Sequence, residues 1–149
     1  MDETWGFVAI SLVFAVVWAT DVMAYVMGRL VGGPRLWPKV SPNKTWSGAL
    51  AGLVSGIGAG LGLGTFAGVS DLWALGPLCA GLAVMAAAGD LLESALKRRL
   101  GTKDTGHLIP GHGGVLDRLD GFLSASFAAT AIGLLHCPGG TPARGLLLW

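Results

Sequence analysis

Charge is what this sequence has least of. Asp, Glu, Lys and Arg make up only 13% of its 149 residues, against roughly 25% in a soluble domain. An ordinary soluble domain is therefore excluded. The net charge of +1 points to no particular partner, and no nucleic acid is expected among them. Cysteine is also scarce. Cys79 and Cys137 sit in or beside apolar segments without metal-ligand spacing, and two cysteines alone do not define a disulfide. Both read as small buried side chains. The acidic start Met-Asp-Glu-Thr-Trp lacks a basic leader region, so no cleaved signal peptide is expected. Internal repeats and low-complexity tracts are absent. So is any Ser or Cys nucleophile with an evident His/Asp partner.

Apolar residues fill the space that charge leaves. They make up 52% of the chain, mean hydropathy is +0.64, and 25 residues are glycine, as expected where membrane helices pack through small residues. The reading is an all-α, polytopic integral membrane protein, one domain over 1–149. Four apolar segments approach the roughly 20 residues that a span needs: Trp5 to Met27, Ser47 to Val69, Leu72 to Leu92 and the shorter Phe122 to Leu135. The tail, ending Leu-Leu-Leu-Trp, is suited to the interface, where Trp is enriched. Nine of the ten basic residues fall in two connections, Arg29 to Lys44 and Lys97 to Arg118; only Arg144 lies elsewhere. The positive-inside rule puts both polar loops in the cytoplasm and both termini outside.

Chemistry-bearing residues gather at those loops. Asp21 ends the first span and shares a helical face with Ala24, Tyr25 and Gly28. A charge at that depth is costly and points to function. In Ser41-Pro42-Asn43-Lys44-Thr45, Pro42 fixes the backbone and Thr45 or Ser47 can cap the next helix. Free N–H groups at that helix start, with Lys44, form a natural phosphate cradle. Asp90, Glu93, Ser94 and Lys97 recur at i, i+3, i+4 and i+7 at the end of the third span, with Arg98 and Arg99 beside them. A basic helix end explains Lys97 to Arg99 but not the two acids. Lys103-Asp104 then precedes a glycine-rich run, Gly106 to Gly114, that holds His107, His112, Gly113 and Gly114. It lacks a Walker A ending. Asp117 and Asp120 stand three apart around Arg118; on a helix they share a face and can hold one Mg²⁺ with substrate phosphates. Paired acids, clustered cations and a glycine loop are the parts of phosphoryl or nucleotidyl transfer.

The stretch from Ser94 to Asp120, with Ser94, Leu96, Lys97, Arg98, Lys103, Asp104, Gly106, Ile109, Pro110, His112, Gly113, Gly114, Val115, Asp117, Arg118, Leu119 and Asp120, resembles the signature of the phosphatidate cytidylyltransferase (CDP-diacylglycerol synthase) family. Upstream, Asp21 with Ala24-Tyr25 and Gly28-Arg29, and Ser41-Pro42 with Lys44-Thr45, are similar to family motifs in the same order. The resemblance implies a membrane enzyme of phospholipid biosynthesis that converts CTP and phosphatidate to CDP-diacylglycerol and pyrophosphate. It implies Mg²⁺, with room for a second cation, on Asp117 and Asp120, joined less firmly by Asp90 and Asp21. Lys103, Asp104, His112, Asp117, Arg118 and Asp120 take catalytic roles. Ser41, Lys44, Thr45, Ser94, Lys97, Arg98, Gly113 and Gly114 bind substrate. The expected location is the inner membrane, with the site facing the cytoplasm.

Two departures accompany the resemblance. The chain corresponds to the C-terminal half of usual members, which leaves open a compact form, a truncation, or a unit that pairs as a homodimer. Ser47 stands where the family usually has Glu before Gly48. Three other readings compete with the enzyme. They are an inactive membrane subunit or scaffold that retains the motif, a cytidylyltransferase of archaeal ether lipids, and an ion transporter using Asp21 and Asp90. The dense cytoplasmic loop argues against the transporter.

Overall fold

The computed structural model describes residues 2–99, 120–137 and 140–148. Four long or medium helices carry the chain: α1 (Asp2–Leu30), α2 (Trp46–Phe66), α3 (Leu72–Arg99) and α4 (Asp120–His136). Their positions follow the four apolar segments closely. Three of them, α1, α2 and α3, are long and apolar enough to cross a membrane. The fourth span is not established on that measure, since α4 has 17 residues. The all-helical expectation holds but for one small hairpin. Strands β1 (Arg35–Trp37) and β2 (Ser41–Thr45) pair antiparallel between α1 and α2, with an irregular register between Arg35 and Trp37.

Local chemistry sets the boundaries. After α1, Gly32 and Gly33 take positive φ (65° and 106°), a region that only glycine enters freely, and the chain turns into the hairpin. Thr45 ends β2 and caps α2, its Oγ1 accepting from the Gly48 N–H at 3.2 Å. Ser47, the departure from the family pattern, does not cap. Its hydroxyl donates to the Gly32 carbonyl and so ties the start of α2 to the end of α1. At the other end of α2, the Val69 N–H reaches Gly64 O at 2.9 Å and the Gly68 N–H reaches Thr65 O at 3.2 Å around Gly68 at φ 76°. That is the Schellman closure. Asp71 then accepts from the N–H groups of Trp73 and Ala74, both at 3.1 Å, to start α3.

Packing is organised by α2. Gly48, Gly52, Gly56, Gly60 and Gly64 recur every fourth residue and all are buried. A methyl group at Gly52 would lie 2.8 Å from Thr20 O on α1, and one at Gly60 would strike Cys79 Sγ on α3. The helices therefore meet almost backbone to backbone, the packing by which small residues hold membrane helices together. Ser55 Oγ adds a bond to Ala19 O across the α1–α2 seam at 3.0 Å. Helix α4 presents its own small face, Gly121, Ala125, Ala129 and Gly133. The core runs through Leu12, Val16, Leu75, Cys79, Leu82 and Ala125. Cys79 and Cys137 are both free thiols; Cys79 is buried, as expected, and Cys137 partly so. Residues Pro142–Leu147 form α5, and Leu146 and Leu147 are buried against α1 and α4.

Candidate active site

The hairpin and three helices bring the early and middle motifs together. A cavity of about 590 Å³ opens where α1, β2, α2 and α3 meet. Asp21 from α1, Ser41, Lys44 and Thr45 from β2, and Asp90 from α3 form its polar end. Leu50 and Leu53 from α2 and Val84 and Leu91 from α3 form an apolar wall. Lys44 Nζ lies 3.0 Å from Asp90 Oδ2, linking β2 to α3 across 46 residues of sequence. Because side chains alternate along a strand, Leu36 turns into this cavity while Arg35 and Trp37, on either side of it, are exposed. At the mouth, Arg29 Nη1 donates to Tyr25 Oη at 2.6 Å.

A second cluster adjoins Asp90 at the seam of α3 and α4. Here Gly89 and Gly121 let the two helices close: a methyl group on Gly121 would lie 2.6 Å from Asp90 Oδ1. Asp120 opens α4, and its Oδ1 accepts from the Gly121 N–H at 2.7 Å. Burial pushes the Asp120 carboxyl above the usual carboxylate range. The neighbouring Glu93 and Asp90 carboxyls act in the same direction, while the Gly121 N–H opposes them. Lys97 Nζ lies 2.9 Å from Glu93 Oε1, one turn along α3.

The structure thus places Asp21, Ser41, Lys44, Thr45, Asp90 and Asp120 in one neighbourhood, with Lys97 beside it. The Thr45 hydroxyl is occupied by the α2 cap, and the Lys97 ammonium pairs with Glu93. Ser94 is half-buried and Arg98 exposed on the last turns of α3. Lys103, Asp104, His112, Gly113, Gly114, Asp117 and Arg118 lie outside the described residues. Glu93 was not assigned a site role from sequence, although its spacing from Asp90 placed both on one face. What spacing could not reveal was the depth of its burial.

The seam gathers acidic side chains from α3 and α4. Asp90, Glu93 and Asp120 supply carboxylate oxygens, the ligands hard divalent cations prefer. Lys44 and Lys97 supply two positive charges against these three. Among the described residues, no group of three or more His, Cys, Asp or Glu is arranged to hold one ion together.

Comparison with known proteins places the chain among relatives of known name. A sequence model described as the Cytidylyltransferase family matches residues 1–135. The chain is 44% identical over 141 residues to a phosphatidate cytidylyltransferase of Brucella suis biovar 1 (strain 1330), covering 95% of this chain and 52% of that protein. It is 48% identical over 125 residues to one from Brucella abortus biovar 1 (strain 9-941), 84% of this chain and 46% of that one. It is 44% identical over 115 residues to one from Staphylococcus saprophyticus, 76% of this chain and 44% of that one. The chain spans about half the length of the curated relatives it matches, their C-terminal half. With its apolar helices and its matched length, the chain is a membrane protein that belongs to the cytidylyltransferase family.

Proposed function

We propose that this chain carries the catalytic half of a phosphatidate cytidylyltransferase. A phosphatidate phosphate oxygen attacks the α-phosphorus of CTP. The bond from that phosphorus to the bridging β-phosphate oxygen breaks, CDP-diacylglycerol forms, and pyrophosphate leaves. One observation carries the reading: a single cavity joins a charged end at Asp21, Lys44 and Asp90 to an apolar wall at Leu50, Leu53, Val84 and Leu91. A phosphate headgroup with acyl chains needs that combination, and the relatives' printed activity acts on such a lipid.

Lys44, with Lys97, Arg98, Lys103 and Arg118, neutralises phosphate charge. Ser41, Thr45, Ser94, Gly113 and Gly114 line the path of the substrates. Asp104 belongs with Lys103, and His112 positions a phosphate or a water. The phosphate nucleophile is already ionised at neutral pH, so no strong general base is required. Asp120 and Asp117 would hold Mg²⁺, with Asp90 and Asp21 as further oxygen donors. Bound there, it would supply charge to offset the triphosphate and the leaving pyrophosphate. The two basic connections put this site on the cytoplasmic side of the inner membrane, with both termini outside. Pairing as a homodimer supplies a second half where this chain acts alone.

The half-length match favours one other reading, a non-catalytic subunit that retains the motif. Purified protein in detergent with labelled CTP, phosphatidate and Mg²⁺ separates the two. CDP-diacylglycerol is the expected product, and Asp120→Asn is expected to lose activity by about 100-fold or more with folding intact. Wild-type protein that makes no CDP-lipid at any Mg²⁺ concentration overturns the enzyme reading in favour of the subunit.

A further inference from the structure

The connection between α1 and α2 carries cations without acids. From residue 22 to residue 70 the chain has no Asp or Glu, but it has Arg29, Arg35, Lys39 and Lys44. Two of these are engaged within the fold: Arg29 donates to Tyr25 Oη, and Lys44 pairs with Asp90 at the cavity. Arg35 and Lys39 are not. Both are exposed on the hairpin, and among the described residues neither side chain has a hydrogen-bond or ion-pair partner. Trp37 stands between them, 52% exposed, while Leu36 turns into the cavity.

The helices fix the level at which this group stands. The 21 residues of α2 rise about 30 Å, which matches the hydrocarbon core of a bilayer. Exposed aromatic rings mark both of its ends. Trp46 lies where it leaves the hairpin; Phe66, followed by Trp73 at the start of α3, lies at the other. Tryptophan at the two ends of a span is the pattern of the two membrane–water interfaces. The hairpin joins α2 with no residue between, so it stands at headgroup level. The two ends differ in charge. The α2–α3 connection, 67–71, has one acid, Asp71, and no Lys or Arg. Aromatic rings suit any bilayer. Unpaired cations at one end suit an anionic one, where each Lys or Arg near the surface is drawn to lipid phosphate.

We propose that the outer side of the β1–β2 hairpin is a docking surface for anionic phospholipid headgroups, with Arg35 and Lys39 on lipid phosphates and Trp37 at the boundary between headgroups and acyl chains. Because Leu36 and Lys44 of the same hairpin line the cavity, the surface gathers anionic lipid at the cavity mouth. It requires neither transfer activity nor a bound cation.

The test places its reporter on the hairpin. In the full chain with Cys79 and Cys137 replaced by Ala, Pro38→Cys at the exposed turn carries a bimane fluorophore, and the protein is reconstituted in phosphatidylcholine bilayers. Phosphatidylglycerol with a nitroxide near the top of its acyl chain is compared, as a quencher, with phosphatidylcholine labelled in the same way at equal mole fraction. The anionic lipid is expected to quench as if about 5-fold more concentrated. Arg35→Gln/Lys39→Gln should bring that ratio to about 1 with Tm unchanged, whereas the charge-keeping Arg35→Lys/Lys39→Arg and the cavity variant Lys44→Met should retain it. Equal quenching by both lipids in the starting protein, or a ratio that survives the Gln pair, overturns the proposal. A ratio lost in Lys44→Met and kept in the Gln pair puts the lipid in the cavity and overturns it too. So does a ratio abolished by inorganic phosphate at constant ionic strength, which would mark a site for a free anion. None of these results bears on cytidylyl transfer, which is read separately from labelled CTP.

Discussion

Lys44 and Asp90 make the one ion pair among the described residues that crosses from the hairpin to a helix. Both partners retain some exposure, 33% and 22%, so the attraction is partly screened and worth no more than about 1 kcal/mol to stability. Its value lies in placement: it holds an ammonium at the polar end of the cavity. Lys44→Met is therefore expected to lower Tm by only a few degrees while cutting cytidylyl transfer by about 100-fold. Lys44→Arg should recover a small part of that rate, since a guanidinium forks where an ammonium points. Parallel thermal melts and initial rates check this, and equal loss of stability and rate would contradict it. Asp90, Lys44 and Asp21 were legible in the sequence, because charges at the ends of apolar runs stand out. The burial of Glu93 was not. Spacing gave its face on α3, but burial is set by how the chain folds around that face.

Among the elements, α2 is held by absence of side chain. Gly56 and Gly60 have no space for a methyl group: Thr20 Oγ1 and Cys79 Sγ occupy it. Gly58 and Gly62 face open space, with nothing within 4 Å of an added methyl. Gly56→Ala and Gly60→Ala are expected to destabilise by about 1–3 kcal/mol each through overpacking. Gly58→Ala and Gly62→Ala should be neutral or stabilise by up to about 1 kcal/mol, the usual helix preference for alanine. Thermal unfolding of the four variants in one detergent compares them directly, and a uniform response would rule out this packing. The helices were readable in advance because apolar length is a strong signal. The hairpin was not, since strands of three and five residues with Pro42 inside show no alternation to detect. Helix α5 escaped notice for a related reason. Six residues beside Pro138, Gly139 and Gly140 read as an interfacial tail, and contact with α1 and α4 makes them a helix of the fold.

For the whole molecule, the arrangement of basic residues makes a prediction about sidedness. With Cys79 and Cys137 replaced by Ala, Lys39→Cys should react with a membrane-impermeant maleimide in inverted inner-membrane vesicles and stay unreacted in intact spheroplasts. The opposite pattern would reverse the proposed orientation and move the site to the other face. Half the length of its relatives gives the chain a cavity with a polar end and an apolar wall, and the hairpin that supplies Lys44 is welded to the fold. Strand β2 ends at Thr45 and α2 begins at Trp46, with no residue between them, and Ser47 bonds the joint back to Gly32. The hairpin and α2 are consequently one continuous piece of chain, so the distance of Lys44 from the glycine face of α2 is set by the backbone itself and not by a linker.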